Sequence, residues 1–303
     1  MLVELATFSD RLFVAAAGIY ALAMIFHAVE FAAARAKAPA MVGADGPDEA
    51  PDEPVRSRPE RFGRMAVALT VLGAALQLAS IATRGLAAER WPMGNMYEFI
   101  AAICVAAVGT WLVVLRRSPA ARPAGPFVLF PVLVLMALAG SVLYAPAGPV
   151  VPPLRSYWMS IHVSTISISS GLLVVSGVAS LLFLLRRSGR LAAVAEKLPA
   201  ADALDRLAYR ITIVAFPLFT FAIITGAVWA EAAWGRFWGW DPKETVAFVS
   251  WVIYAAYLHA RATAGWRTGR AAWVNAAGFA TIIFNLFFIN MVVAGLHSYA
   301  GVG

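Results

Sequence analysis

The sequence predicts an all-α, polytopic integral membrane protein, on the strength of its composition and its long apolar segments. Hydrophobic residues make up 61% of the 303 residues and charged residues 14%, whereas a soluble domain carries about a quarter charged residues. The mean hydropathy is +0.75. Segments of roughly 20 apolar residues can cross a bilayer as helices. About eight occur, near residues 12–34, 65–84, 96–115, 127–145, 158–185, 207–229, 245–261 and 272–296.

The first apolar segment has the character of a retained helix rather than of a signal peptide. Glu4 and Asp10 precede it where a signal peptide would carry basic residues, and it is about twice the usual length of the apolar region. Residues 36–60 are rich in Ala, Pro, Asp, Glu and Arg, which predicts a mobile loop. We therefore divide the chain into residues 1–64, the first helix with a cytoplasmic loop, and residues 65–303, a transmembrane core that includes a tryptophan-rich loop at 228–245.

The distribution of Lys and Arg predicts the orientation in the membrane. Three quarters of the 24 basic residues fall in alternate connections, namely those after the first, third, fifth and seventh segments. Because cytoplasmic loops carry an excess of Lys and Arg, those connections are expected inside. Both termini and the tryptophan-rich loop are then expected outside.

The charge and the single cysteine exclude several classes of function. The net charge of +7 is spread over short loops between apolar segments and does not indicate nucleic-acid binding. Cys104 is the only cysteine, so the chain has neither an intrachain disulfide nor a CxxCH heme-attachment motif. The chain is therefore not itself a c-type cytochrome.

The segment WGRFWGWDPKET, residues 234–245, is too aromatic for an ordinary solvated loop and too polar to cross a bilayer. Trp and Tyr collect at membrane interfaces in any case. An interfacial belt does not explain why Trp234, Trp238 and Trp240 crowd together with charged groups. Such rings could stack on the face of a porphyrin, and Arg236 and Lys243 could attract its propionates. Asp241 is expected to cap the following helix.

The four histidines fall at two levels of the membrane. His162 and His297 lie near the outer ends of the fifth and eighth spans, level with the tryptophan-rich loop. His27 lies in the inner half of the first span and His259 near the inner end of the seventh. Neutral imidazole is a common axial ligand of heme iron, although a lone histidine in an apolar helix more often serves as a hydrogen-bonded packing residue. The shared level favours ligation for the outer pair but not for His27.

Several motifs together resemble a known family, that of the CcsA/ResC-type cytochrome c biogenesis proteins with their tryptophan-rich WWD domain. The resemblance covers the run from Val228 to Thr245 and, further, the stretches PMGNMYE, LRSYWMSIHVS, YLHAR and FINMVVAGLHSY. It extends from about residue 92 to the C-terminus. It implies that His162 and His297 bind heme on the outer side and that His259 binds heme within the membrane. The second inner ligand usually comes from a partner protein, so His27 is not assigned by the resemblance, and we interpret it as reaching or packing near the inner site.

The resemblance further implies a subunit of a holocytochrome c synthase of the heme lyase type in the bacterial plasma membrane. Heme b would be the transported ligand or substrate. A CcsB/ResB-type membrane protein, apocytochrome c with its CxxCH motif and a thiol–disulfide oxidoreductase would be the partners. No catalytic residue is assigned. Two alternatives remain open at this point, a heme exporter without a role in attachment and a membrane cytochrome with two histidine ligands.

Overall fold

The computed structural model describes residues 1–33, 58–263, 266 and 269–297, and every regular element in these ranges is helical. The predicted mobile loop lies outside the described residues up to position 57. The helices are α1 (Leu2–Ala33), α2 (Arg58–Ala88), α3 (Met96–Arg117), α4 (Gly125–Ser141), α5 (Tyr157–Ser188), the short α6 (Ala192–Ala195), α7 (Ala201–Trp234), α8 (Pro242–Ala262), α9 (Gly269–Phe284) and α10 (Asn290–Val292). A π-helical turn, Asn285–Ile289, joins α9 to α10.

Seven helical segments of the described chain are long and apolar enough to span a membrane. They comprise α1, α2, α3, Pro119–Ser141, α5, α7 and Gly269–Val292. The predicted span 245–261 corresponds to α8, which is not among these seven and carries Lys243, Glu244 and Arg261 near its ends. Since α8 connects α7 to α9 and packs along both of them, we treat it as the eighth membrane-spanning helix.

The tryptophan-rich loop is shorter than the predicted range 228–245. Residues up to Trp234 continue α7, and the helix ends at Gly235, which adopts the left-handed conformation with φ +71°. Its amide donates a hydrogen bond to the carbonyl of Glu231, as expected for a glycine that terminates a helix. The non-helical part of the loop is therefore limited to residues 235–241.

The bundle has two halves that share α3 and α5. In the first half, α1 packs along α2 and α4, and α3 contributes the fully buried Trp111 to the common core. In the second half, α5 packs along α7 and α9, with Phe219 and Tyr254 buried between them. The ends of α7 and α10 meet the beginnings of α3, α5 and α8 at one end of this second half, where a cavity opens.

A histidine and tryptophan cavity as the candidate functional site

The cavity at this end of the bundle encloses about 1200 Å³, including its open mouth. Aliphatic and aromatic side chains form most of the wall. The polar and aromatic residues that line it include His162, Trp229, Trp234, Trp238, Lys243, Glu244, Asn285, Asn290 and His297.

His162 enters the cavity from the second turn of α5. Ser156 caps this helix by accepting a hydrogen bond from the amide of Trp158. The Nδ1 atom of His162 lies 2.8 Å from the carbonyl oxygen of Ala222 on α7. Because a carbonyl oxygen can only accept, Nδ1 carries the proton, and Nε2 is the nitrogen that His162 can offer to a ligand.

His297 reaches the same cavity from the segment that follows α10. Its Nδ1 atom lies 2.8 Å from Oδ2 of Asp241. Burial lowers the pKa of His297, and the hydrogen bond to Asp241 opposes this only in part. Burial alone would raise the pKa of Asp241, but the hydrogen bonds from His297 and from the Leu296 amide outweigh it and hold that pKa below its ordinary value. A neutral His297 with Nδ1 protonated also leaves Nε2 for a ligand.

Trp229 connects the two histidines. Its ring stacks on His162 at a centroid distance of 5.8 Å and meets His297 edge-on at 5.7 Å. The indole nitrogen donates to the carbonyl of Pro153, 2.9 Å away, and the side chain is almost fully buried. Trp234 lies one further turn along α7, 4.9 Å from Trp229 and 5.2 Å from His297. Trp229 was not singled out from sequence, although it lies within the run from Val228 to Thr245 that carries the family resemblance.

A capping box fixes the loop between α7 and α8. Asp241 is the N-cap residue, while Glu244 accepts hydrogen bonds from the amides of Asp241 and Gly239 at 3.1 and 2.9 Å. Trp238 lies on the cavity wall and meets Trp240 edge-on at 5.7 Å. Trp240 is itself 65% exposed, has φ +57° and does not line the cavity. Arg236 also lies outside the cavity wall, with Nη1 3.8 Å from Glu244.

Lys243 supplies positive charge to the cavity wall. Its Nζ atom donates to Oδ1 of Asn290 at 2.6 Å and lies 5.8 Å from the centre of the Phe99 ring. Asn285 donates to the carbonyl of Lys243 at 3.3 Å. Asn285 is the first residue of the π-helical turn, and Asn290 is the residue that follows it. Such turns are frequent at functional sites. Sequence analysis did not identify either asparagine.

The inner histidines do not join this site. His259 is exposed on the surface of α8. His27 is fully buried on α1, 3.9 Å from Glu30, and neither of its ring nitrogens has a hydrogen-bond partner among the described residues. Since α1 packs mainly against α2 and α4 while α8 packs against α7 and α9, the two histidines belong to different halves of the bundle. Within the described residues, no group of three or more His, Cys, Asp or Glu side chains could hold a metal ion.

The fold and the cavity thus define a class of protein, a polytopic membrane protein with two histidines in an aromatic cavity at one membrane surface. Residues 93–297 match the family model described as cytochrome C assembly protein. The chain is 37% identical over 263 residues to the cytochrome c biogenesis protein CcsA of Synechococcus sp. strain RCC307, covering 77% of this chain and 84% of the relative. It is 32% identical over 287 residues to the CcsA protein of Gloeobacter violaceus, covering 73% and 84%. The chain belongs to the cytochrome c assembly family and is of the CcsA type.

A solved structure, that of the cytochrome c heme lyase CcmF, has a similar fold. The two superpose with a TM-score of 0.64 at 17% sequence identity, over 93% of this chain and 46% of the CcmF chain. At this identity the likeness concerns the fold alone. It agrees with the all-helical, membrane-spanning architecture that composition predicts. The role of the chain in cytochrome c biogenesis follows from its membership of the cytochrome c assembly family, which also implies that heme is involved.

Proposed function

We propose that this chain holds heme b between His162 and His297 and presents it for covalent attachment to apocytochrome c, as part of a holocytochrome c synthase. One observation carries the proposal. Two histidines from different elements, His162 on α5 and His297 in the segment after α10, line a single aromatic cavity, and each has Nδ1 already engaged by an oxygen. An orienting oxygen behind the ring is the usual arrangement of histidines that bind metals.

The residues of the cavity fit heme in three respects. Two neutral imidazoles suit the axial positions of the iron. Trp229, Trp234 and Trp238 provide apolar faces for a porphyrin ring. The ammonium group of Lys243, held by Asn290, provides a counter-charge for a propionate.

The proposed reaction adds each cysteine thiol of a CxxCH motif across a vinyl group of the heme. A carbon–sulfur bond forms, the thiol proton passes to the adjacent vinyl carbon, and no oxidant is needed once the thiols are reduced. The residues of this chain contribute by holding and orienting the reacting group, because fixed geometry removes much of the entropy cost of bringing reactants together. A thiol–disulfide oxidoreductase would keep the thiols reduced.

We place the entry of heme on the inner side, at His259. This histidine faces outward from α8, so a ligand bound there would lie on the surface of the bundle. A second axial ligand would then come from another protein, for which a CcsB/ResB-type membrane protein is the expected partner. With the bacterial plasma membrane as the location, the cavity and both termini face outward.

The proposal is tested by co-expressing a cytochrome c with His162→Gly or His297→Gly. Each variant should abolish covalent heme in the cytochrome, and added imidazole should restore it by filling the vacated position. Tyr157→Gly is the matched control, because Tyr157 lies on the same helix as His162, is 75% exposed and does not line the cavity. Normal attachment in either histidine variant without imidazole would contradict the proposal.

A heme exporter is distinguished from an attachment protein by vesicle reconstitution. If the chain only exports, vesicles should release free heme on the outer side in the absence of apocytochrome. If it holds heme for attachment, as proposed, heme should stay bound until apocytochrome with reduced thiols is added. A membrane cytochrome would instead show reversible electron transfer, and adding apocytochrome would not change how much heme it releases.

A further inference from the structure

Asp241 occupies an unusual place in the tryptophan-rich segment. Its side chain is only 5% exposed, and both oxygens are in use. Oδ1 accepts a hydrogen bond from the Leu296 amide at 2.8 Å, and Oδ2 accepts one from Nδ1 of His297, also at 2.8 Å. As the cap of α8, Oδ2 also accepts a hydrogen bond from the Lys243 amide at 3.4 Å. Asp241 does not line the cavity, so we expect it to act through His297 rather than on a ligand.

Gly295 makes this contact possible. A Cβ atom at position 295 would lie 2.7 Å from Oδ1 of Asp241, which is closer than real Cβ contacts allow. The segment Val293–His297 is not helical, so its position depends on such contacts more than on its own backbone hydrogen bonds. The carboxylate therefore joins the start of α8 to the segment that carries His297.

The two histidines of the cavity are supported by different groups. His297 donates its Nδ1 proton to a carboxylate, whereas His162 donates its Nδ1 proton to the neutral carbonyl of Ala222. A carboxylate draws the proton more strongly than a carbonyl does and so raises the basicity of the opposite ring nitrogen. Nε2 of His297 should therefore be the stronger electron-pair donor of the two.

We infer that Asp241 is a positioning residue that makes His297 the firmly held axial ligand, and that His162 is the ligand which an incoming imidazole replaces first. The inference rests on the proposed function, since it concerns the same two histidines. It assigns different roles to them, with retention by His297 and exchange at His162. The histidine of the CxxCH substrate would accordingly take the position of His162.

The test is a cycle of variants whose heme loss to excess apomyoglobin is timed in mild detergent. Asp241→Asn should lose heme about ten times faster than the unaltered protein, within the usual 10- to 100-fold effect of such supporting groups. Asp241→Asn should have a similar effect in the His162→Ala background. It should have no effect in the His297→Ala background, because the carboxylate acts through the histidine that is then missing.

Two further measurements separate this role from a loss of stability. Asn is itself a good N-cap residue, so Asp241→Asn should fold. Gly109→Ala provides the control, since a Cβ atom at Gly109 meets nothing within 4 Å. Gly295→Ala should reproduce the faster heme loss by displacing Asp241 from the other side. The midpoint potential of the heme should rise in Asp241→Asn. Each tenfold loss of affinity that is confined to ferric heme corresponds to a rise of about 59 mV.

The outcomes are distinguishable. Heme loss from Asp241→Asn at the rate of the unaltered protein would overturn the positioning role. So would an equal acceleration of heme loss by Asp241→Asn in the His297→Ala background. Faster loss from His162→Ala than from His297→Ala would overturn the order of exchange. An unaltered protein that binds no heme would overturn the proposed function and this inference with it.

Discussion

At the scale of single residues, small side chains decide where the histidines can lie. Gly226 on α7 faces the ring of His162, and a Cβ atom there would lie 2.7 Å from its Cε1 and Nδ1 atoms. The absence of a side chain thus allows the ring to approach the helix and reach the carbonyl of Ala222, one turn earlier. The geometry of the cavity depends on a residue with no functional group.

We predict that Gly226→Ala displaces His162 and weakens heme binding about tenfold or more, because the ring loses the hydrogen bond that orients it. The absorption spectrum of the purified protein would show loss of the signature of two imidazole ligands. Gly109→Ala is the control, since a Cβ atom at Gly109 meets nothing within 4 Å. An unchanged spectrum in Gly226→Ala would contradict this account of His162.

At the scale of elements, the loop between α2 and α3 is held by a buried ionic cluster around Glu98. This carboxylate accepts hydrogen bonds from Nε of Arg84 at 2.8 Å and from Nη1 and Nη2 of Arg90 at 2.8 and 3.0 Å. It also accepts one from the Gly94 amide at 2.7 Å. Gly94 and its neighbours Met93 and Asn95 line the cavity. The cluster therefore fixes one wall of the cavity from a distance.

We predict that Glu98→Gln destabilises the protein by about 3–5 kcal/mol, the usual cost of removing one partner from a buried ion pair. The guanidinium group of Arg90 would lose its carboxylate partner, and that of Arg84 would keep only Asp10, 3.3 Å away. The melting temperature in detergent, followed by tryptophan fluorescence, would measure the effect. Glu4→Gln is the control, because Glu4 pairs with the N-terminus on the exposed surface and should leave the melting temperature unchanged.

At the scale of the whole molecule, the orientation in the membrane decides which side the cavity faces. The distribution of the basic residues predicts that the end of the bundle that holds the cavity faces the outer side. The lone Cys104 is fully buried, so the unaltered protein gives no background with thiol reagents that cannot cross membranes. Cysteines introduced at chosen ends of the bundle can therefore report the orientation directly.

We predict that a membrane-impermeant maleimide labels Gly148→Cys but not Ser188→Cys in intact cells, and labels both after permeabilisation. Position 148 has open space around it at the end near the cavity, and Ser188 is exposed at the end of α5 remote from the cavity. The opposite pattern would show that the cavity faces the cytoplasm, and attachment of heme on the outer face would then be excluded.

The sequence alone determined the all-helical membrane fold, the approximate spans and the common level of His162, His297 and the tryptophan-rich segment. These features depend on local composition and on helical rise, both of which can be calculated along the chain. The family resemblance, confirmed by the comparisons, added the expectation of heme and of an outer site. The individual roles of the tryptophans and charged residues were not separable at that stage.

Only the tertiary structure decided which residues line the cavity and which support it. It placed Trp229 between the two histidines, turned Trp240 and Arg236 away from the cavity wall, and set Asp241 behind His297. It also separated His27 from His259 by placing them in different halves of the bundle. The physical reason is that these contacts join residues far apart in the chain, so they depend on how helices pack and where each loop turns, which spacing along one segment does not encode.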